Sequence, residues 1–564
     1  MNMLQLDIKK SNGIFYTKPI IVNMMLNLIG YTCNKNLYNY SLLDPSFGDG
    51  AFVIGAIERV IKSYKSTYGE NAFKNEKKAL NELKNSIRGI EISENNFEDG
   101  KQKIISTLVH LGASNKLANQ LLEKWLVKTD FLFWENQEGI RFDFIVGNPP
   151  YIRIENIPVN TIKRYRSMFS TMSDRADIYV PFIQKGLDLL SKQGQLTYIC
   201  TDRFSKNKYG QKLREYIGEK HQMRYFLDIH KTNPFHDEVS AYPCVFVIEQ
   251  KRREPLPIRT LKMDIIDELH VHAAENYLLN GIESDMEQIK TYTLQNWFMG
   301  KEPWILDGQE AANLLKKLET GRKPLIDEVH QVKVGIGVAS GANKVYIVHP
   351  DNVDIEQDVL IPLVTKDDIK TGQLNWRGYY IINPYNEDKS LINLNKYPKL
   401  KSYLMQHEET IKNRRIAKDN PDRWYKTIDP IHVNIINLPK LLIPDIKKES
   451  FIIKDKGGYY PEHSLYYILP GNWDIDILQA ILTSSISKFF IWSYSPKMRG
   501  DYLRFQAQYL KKICLPSPES ISSSIAVKLK KAMQQNDKSK VDELVADLYK
   551  LTKFELDTIQ DLVK

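Results

Sequence analysis

Cysteine is scarce in this chain: Cys33, Cys200, Cys244 and Cys514 are the only four in 564 residues, with no CxxC pair and no histidine at metal-ligand spacing. Neither a disulfide framework nor a zinc site is indicated, so no metal is expected. Long apolar runs are missing too. No stretch approaches the roughly 20 residues that a helix needs to cross a bilayer. The first ten residues place Asp7, Lys9 and Lys10 where a signal peptide would need an apolar segment. The expectation is a cytoplasmic protein without a membrane partner. No internal repeat is found, which argues against a repeat architecture.

What remains is an ordinary globular composition, 42% hydrophobic, in a chain longer than one core usually holds, so two or more domains are expected. The net charge of +9 is interspersed rather than clustered and is compatible with a polyanionic partner. Thirty-one tyrosines and eight tryptophans supply rings on which bases stack.

The most informative stretch is Asp143-Phe144-Ile145-Val146-Gly147-Asn148-Pro149-Pro150-Tyr151. Phe144 to Val146 suit a strand covered on both faces, and proline cannot donate to a ladder, so pairing ends at Asn148. The two prolines fix φ and bias the residue before each toward extended geometry. The Asn148 side-chain oxygen and the Pro149 carbonyl then face one point. Two such acceptors suit an amino group on a planar ring or amide: they hold the nitrogen and stabilise the positive charge that develops as it attacks. Tyr151 would lie against the ring face.

Three further strand tips precede this one. Ser41-Leu42-Leu43 runs into Asp44-Pro45-Ser46-Phe47-Gly48-Asp49-Gly50 and then a helix, a small-residue turn that lets a ligand approach the backbone. It is not the dinucleotide GxGxxG pattern, since an acid opens it, and Asp44 would receive a cationic amino-acid group. Ile87 to Ile92 carries Glu91, an acid placed to accept ribose hydroxyls. Val127-Lys128-Thr129 leads to Asp130-Phe131, an acceptor for an adenine amino group beside a ring to pack on it. Upstream, Thr17, Pro19 and Gly30 punctuate an amphipathic helix, with Thr17 as its N-cap. Downstream strands bring the count to seven, and Asn233-Pro234-Phe235-His236 reads as a loop offering an exposed aromatic.

At Lys251-Arg252-Arg253-Glu254-Pro255 the βα alternation stops. The second half is irregular, with basic and aromatic residues interleaved at Arg414-Arg415, Arg423-Trp424-Tyr425 and Lys497-Met498-Arg499, the composition of a groove along a phosphate backbone. An amphipathic helical tail begins near residue 521. The expected division is residues 1–255, a catalytic α/β domain with a mostly parallel, Rossmann-like sheet; 256–520, an α+β domain; and 521–564, the tail.

Taken together, Gly13 to Pro19, Asp44 to Phe52, Glu91, Asp130-Phe131, Asn148 to Tyr151 and the Phe235 loop resemble the γ-class adenine-N6 DNA methyltransferases of bacterial restriction–modification systems. The likeness covers residues 13 to 250, and Gly335 to Tyr346 and Pro439 to Leu441 are similar, more loosely, to segments of the recognition domains of that family. The resemblance implies S-adenosylmethionine as cofactor, with Thr17, Asp44, Pro45, Gly48 and Gly50 around its methionine, Glu91 on its ribose, Asp130 and Phe131 at its adenine, and Asn148 shared with the catalytic set. It implies Asn148, Pro149, Pro150, Tyr151 and Phe235 around an adenine flipped out of double-stranded DNA, with Tyr151 and Phe235 on its two faces. The DNA contacts would come from Arg423, Lys497 and Arg499. It further implies a separate cognate endonuclease and a location on the nucleoid. An orphan or regulatory adenine methyltransferase shares these motifs. A protein glutamine-N5 methyltransferase presents the same Asn-Pro-Pro-Tyr but lacks the long second half, and cytosine-N4 or RNA adenine methylation would use the same acceptors. A non-catalytic DNA-binding subunit would have no use for Glu91, Asp130 and Asn148 together.

Overall fold

The computed structural model describes residues 15–237, 242–251, 256–447, 452–495 and 503–564. Two compact units divide the chain, Met1–Ala312 and Asn313–Lys564.

In the first unit the short apolar runs become strands: β1 (Leu42–Asp44), β2 (Ile87–Glu91), β3 (Leu126–Lys128), β4 (Phe142–Gly147), β5 (Leu190–Thr201), β6 (His221–Asp228), β7 (Pro243–Gln250), β8 (Ile258–Met263) and β9 (Ile289–Leu294). They form one sheet in the order β3-β2-β1-β4-β5-β7-β6-β8-β9. The five strands β3, β2, β1, β4 and β5 run parallel to one another. β7 runs antiparallel to both β5 and β6. Helices α1 (Pro19–Leu28), α2 (Ala51–Tyr68), α3 (Glu76–Leu83), α4 (Glu94–His110), α5 (Asn115–Trp125), α6 (Val159–Met168), α7 (Tyr179–Leu189), α8 (Gln211–Lys220) and α9 (Glu268–Asn280) cover the sheet. One apolar core holds residues of α1, α2, α4, α5 and α9, and another holds residues of α6, α7 and α8. Both faces are thus closed, which is why β4 and β7 read as unbroken apolar runs.

The chain order reverses between β1 and β4. In open α/β sheets ligands bind at the carboxyl ends of the strands flanking such a reversal, and Asp44, Glu91, Asp130 and Asn148 all lie at strand ends there.

Two expectations are corrected. Among the described residues the sheet has nine strands rather than seven, because β8 pairs in parallel with β6 and β9 pairs antiparallel with β8. The first unit also runs to Ala312 rather than closing at residue 255. Ile258, Leu261 and Met263 of β8 are buried, and α9 docks its buried Ala274, Tyr277 and Leu278 in the same core as α1, where Asn27 Nδ2 donates to Glu275 at 2.8 Å. The charged run that suggested the boundary, Arg252 to Pro255, lies outside the described residues.

The second unit contains two four-stranded sheets. One orders Lys333–Ile336, Leu465–Leu469, Lys440–Pro444 and Ile453–Asp455, and the other orders Ile347–Val348, Tyr380–Ile382, Leu360–Val364 and Tyr460–Pro461. The expected helical tail is no appendage. Its helices, Ser523–Gln534, Lys538–Tyr549 and Lys553–Val563, bury Leu529, Val545, Tyr549 and Ile559 completely. Tyr549 donates to the Cys514 carbonyl at 2.7 Å, Arg322 donates to the Tyr549 carbonyl at 2.9 Å, and Lys317 pairs with Glu555 at 2.7 Å. Among the described residues no single helix is long and apolar enough to cross a membrane.

Because these helices complete the core of the second unit, Leu529→Ala should destabilise it by about 2–5 kcal/mol, the usual cost of emptying a fully buried leucine site. Denaturant unfolding of the full chain checks this, and an unchanged transition would mean that the helices contribute no core.

Candidate active site

The turn after β1 is shaped by two glycines. Gly48 has φ +56° and Gly50 φ +91°, left-handed values that a side chain would strain. Asp44 is fully buried at the start of the turn, where its Oδ1 accepts from the Ser46 N–H at 3.1 Å and its Oδ2 has no partner. Burial pushes its carboxyl well above the usual range. The turn is fastened to β2: Phe47 N–H donates to the Ile90 carbonyl at 3.0 Å, and Gly48 N–H donates to Glu91 Oε2 at 2.9 Å. Glu91 Oε1 accepts from the Ser93 N–H at 2.7 Å. Burial raises the Glu91 pKa, opposed by these two N–H groups.

Asp130, just beyond β3, has both oxygens engaged. Oδ1 accepts from Leu132 N–H at 2.8 Å and Oδ2 accepts from the Tyr165 hydroxyl at 2.6 Å. Burial and the Asp130 charge together push the Tyr165 hydroxyl above its ordinary pKa. Phe131 packs against Phe182 with ring centres 5.0 Å apart.

Asn148 has the most informative arrangement. Its Nδ2 donates to the Phe15 carbonyl at 2.7 Å and to Thr17 Oγ1 at 3.2 Å, while its Oδ1 is buried and has no partner. A carbonyl only accepts, so the partner at Phe15 fixes which end of the amide is nitrogen. Phe15 and Thr17 are themselves held by the segment around Phe235. Thr17 forms an antiparallel bridge with Phe235, Lys18 N–H donates to the Pro234 carbonyl at 3.0 Å, and His236 N–H donates to the Tyr16 carbonyl at 3.0 Å. Thr17 is therefore not the N-cap of α1, a place taken by Lys18 without a side-chain cap. Ser46 Oγ donates to the Asn148 carbonyl at 3.3 Å, joining the β1 turn to the β4 tip.

These tips enclose a cavity of about 510 Å³ whose wall includes Thr17, Gly48, Glu91, Asp130, Phe131 and Asn148, with Pro45 and Pro150 alongside. Its charged lining residues are Asp49, Glu91 and Asp130, all acidic, which suits a cationic ligand. Asp44, Gly50, Pro149, Tyr151 and Phe235 are not on that wall. Asp44 braces the turn through the Ser46 N–H, while Asp49, on the wall, pairs with Lys103 at 3.4 Å.

The Phe235 expectation is also corrected: the ring is 1% exposed. It packs against Phe15 at 5.9 Å and meets Tyr151 at 6.1 Å and 74°, while Phe15 and Tyr151 lie 5.5 Å apart. Two faces gripping a base must stand about 7 Å apart, twice a carbon contact distance. The slot is therefore not preformed between Tyr151 and Phe235. The Tyr151 hydroxyl donates to the Ile199 carbonyl at 3.3 Å.

Sequence reasoning missed Tyr16, Asn96, Phe133, Tyr165 and Phe182, which also line the cavity. Tyr16 lies inside the opening motif, where only Thr17 was singled out; the others lie on helices or in loops between motifs, where helical periodicity marks a buried face but not what it faces. In the second unit Arg423 is exposed at the end of a short 3-10 helix (Pro421–Arg423), whereas Arg414 is spent on the carbonyls of Ile411, Ser340 and Trp424. Lys497 and Arg499 lie outside the described residues, as does Gly13.

Comparison with known proteins agrees with this layout. Residues 23–235 match the Eco57I restriction-modification methylase family, and residues 362–515 match the TaqI-like C-terminal specificity domain. The chain is 48% identical over 561 residues to the type II methyltransferase M.BstVI of Geobacillus stearothermophilus, covering 98% of this chain and 99% of that protein. It is 38% identical to M.PaeR7I of Pseudomonas aeruginosa, covering 96% and 92%. Among solved structures, the type IIL restriction-modification enzyme MmeI in complex with DNA shares the fold at a TM-score of 0.62 and 12% identity, covering 99% of this chain and 78% of that one. The chain belongs to the type II restriction–modification DNA methyltransferases, whose methyl donor is S-adenosylmethionine.

Proposed function

We propose that this enzyme methylates N6 of an adenine flipped out of duplex DNA at a specific site, as the cytoplasmic modification partner of a separate restriction endonuclease. One observation carries the chemical part: the Asn148 amide has its nitrogen tied to Phe15 and Thr17 and leaves only a buried acceptor for whatever enters. An amino group with two N–H donors meets that acceptor, and the Pro149 carbonyl is the second.

In this reading the acid-lined cavity takes the cofactor: Glu91 at its ribose, Asp130 and Phe131 at its adenine, and the Gly48 turn with Asp49 near its methionine. Bound S-adenosylmethionine supplies a methyl group already activated on a cationic sulfur. The contribution of the chain is to orient and to stabilise charge. Asn148 Oδ1 and the Pro149 carbonyl accept the amino hydrogens, turn the nitrogen lone pair out of conjugation with the ring and stabilise the positive charge that grows on nitrogen. The two prolines fix the spacing of these acceptors. Tyr151 offers a face to the base once it parts from Phe15 and Phe235, and stacking worth roughly 1–3 kcal/mol offsets much of a flipping cost of a few kcal/mol. Residues 362–515 read the site, which their likeness to a specificity domain supports. Arg423 is a candidate contact there, and Lys497 and Arg499 remain candidates from the sequence.

Asn148→Ala should retain cofactor and DNA binding while single-turnover transfer falls about 10²-fold or more, by analogy with removing one donor of an oxyanion hole. Near-normal transfer would place the chemistry elsewhere. Nucleoside analysis of methylated duplex DNA should yield N6-methyladenine, and recovery of N4-methylcytosine instead would refute the adenine assignment. Since burial raises the Glu91 pKa, its acceptor form should be lost on acidification at a higher pH than for an exposed glutamate. Cofactor affinity should then weaken toward acid, and Glu91→Gln should bind more weakly with that acid limb flattened. Calorimetry across pH reads both, and an identical acid limb in the variant would remove Glu91 from the cofactor site.

A further inference from the structure

Lys185, on α7, is spent entirely on the turn that carries Asp130 and Phe131. Its Nζ donates to the carbonyls of Phe131 at 2.6 Å, Leu132 at 3.1 Å and Trp134 at 2.6 Å. It also lies 5.1 Å from the centre of the Phe131 ring. The ammonium has three N–H groups and meets three carbonyls, so every donor is used. The same turn is tied to Asp130 from the other side, through Leu132 N–H to Asp130 Oδ1 at 2.8 Å and Trp134 N–H to the Asp130 carbonyl at 2.8 Å. Lys185 is not on the cavity wall. Phe131 and Asp130 are, so the lysine acts on the cavity only through them.

We propose that Lys185 is the positioning residue for the adenine end of the cofactor site: its ammonium locks the 131–134 turn and so fixes the Asp130 carboxylate and the Phe131 ring against the bound nucleoside. This rests on the reading that Asp130 and Phe131 hold the cofactor adenine. A lysine held only for packing would have no need of its charge. Here the charge is costly. Burial pushes the Lys185 pKa down to about 8, against the opposing pull of the Asp130 and Glu135 carboxylates. As pH rises through that value the ammonium loses a proton, leaving two donors for three carbonyls and a lone pair facing the third. The positioning of Asp130 and Phe131 then loosens, and the cofactor, whose positive charge lies on its methionine half, binds less tightly.

The test is calorimetric S-adenosylmethionine binding to the full chain and to Lys185→Met, Lys185→Arg and Asp130→Ala, from about pH 7 to about pH 9.5, a range spanning a lysine of lowered pKa. Steady-state kinetics with duplex DNA run alongside. Lys185→Met should bind about tenfold more weakly near neutral pH, the scale set by removing a charged donor from buried carbonyls. The loss should fall on KM for the cofactor rather than on kcat. The ratio of wild-type to Lys185→Met affinity, in which titration of the ligand's own amino group cancels, should fall toward one as pH rises through about 8. Lys185→Arg, charged throughout, should bind like wild type at neutral pH and lose none of its relative affinity above it; this comparison stands even if the methionine variant does not fold. A pH-independent wild-type to arginine ratio, or a methionine variant that binds like wild type, overturns the proposal. If Asp130→Ala weakens binding while Lys185→Met does not, only the role of Lys185 falls. If neither weakens it, the adenine assignment falls as well.

Discussion

A buried amide with one end committed and the other unanswered is the constraint on which the first unit depends. Asn148 donates to Phe15 and Thr17, and its oxygen is left without a partner. Leaving a buried acceptor unsatisfied costs about 1–3 kcal/mol, and most buried polar groups avoid it. In the proposed function the missing partner arrives with the substrate. Donor contacts on Nδ2 do more than hold the side chain. They prevent the amide from flipping, which leaves an acceptor and no competing donor on its open side.

Several separate segments must meet for this to hold. β4 brings Asn148 to the carboxyl end of the strands, Ser46 in the β1 turn holds its carbonyl, and the 15–18 segment supplies both amide acceptors. That segment is pinned in turn by the stretch around Phe235. Phe235 therefore works first as part of a clasp, with its ring packed among Phe15 and Tyr151. In the proposed function, a base that displaced those rings would press on the same backbone that aligns the Asn148 amide.

The strand tips were legible in the sequence because their residues are dictated locally. Proline ends pairing at Asn148, glycines with positive φ make the β1 turn, and an acid closes β2 and another follows β3. Asp130 and Glu91 do lie on one cavity wall with Asn148. What the sequence concealed is set by contacts distant along the chain. Thr17 reads as a helix cap, yet Phe235, more than two hundred residues away, draws it into a β-bridge. Asp44 reads as a ligand because it opens the turn, yet it is fully buried and off the cavity wall, where the following Asp49 lies instead. The sheet outruns the expected boundary because β8 follows a charged run that looks like a linker. Periodicity cannot reveal that Tyr165 closes on Asp130, since a buried helix face does not name its partner.

The account is tested most directly by a crystal structure of the full chain with its duplex DNA site and an unreactive analogue of S-adenosylmethionine, reading the distance from Asn148 Oδ1 to the target amino nitrogen. The account predicts a hydrogen bond of about 2.7–3.2 Å, with Nδ2 still donating to Phe15 and Thr17. An amide rotated so that its oxygen turns away from the target nitrogen, or a base held beyond hydrogen-bond reach of Asn148, would contradict it.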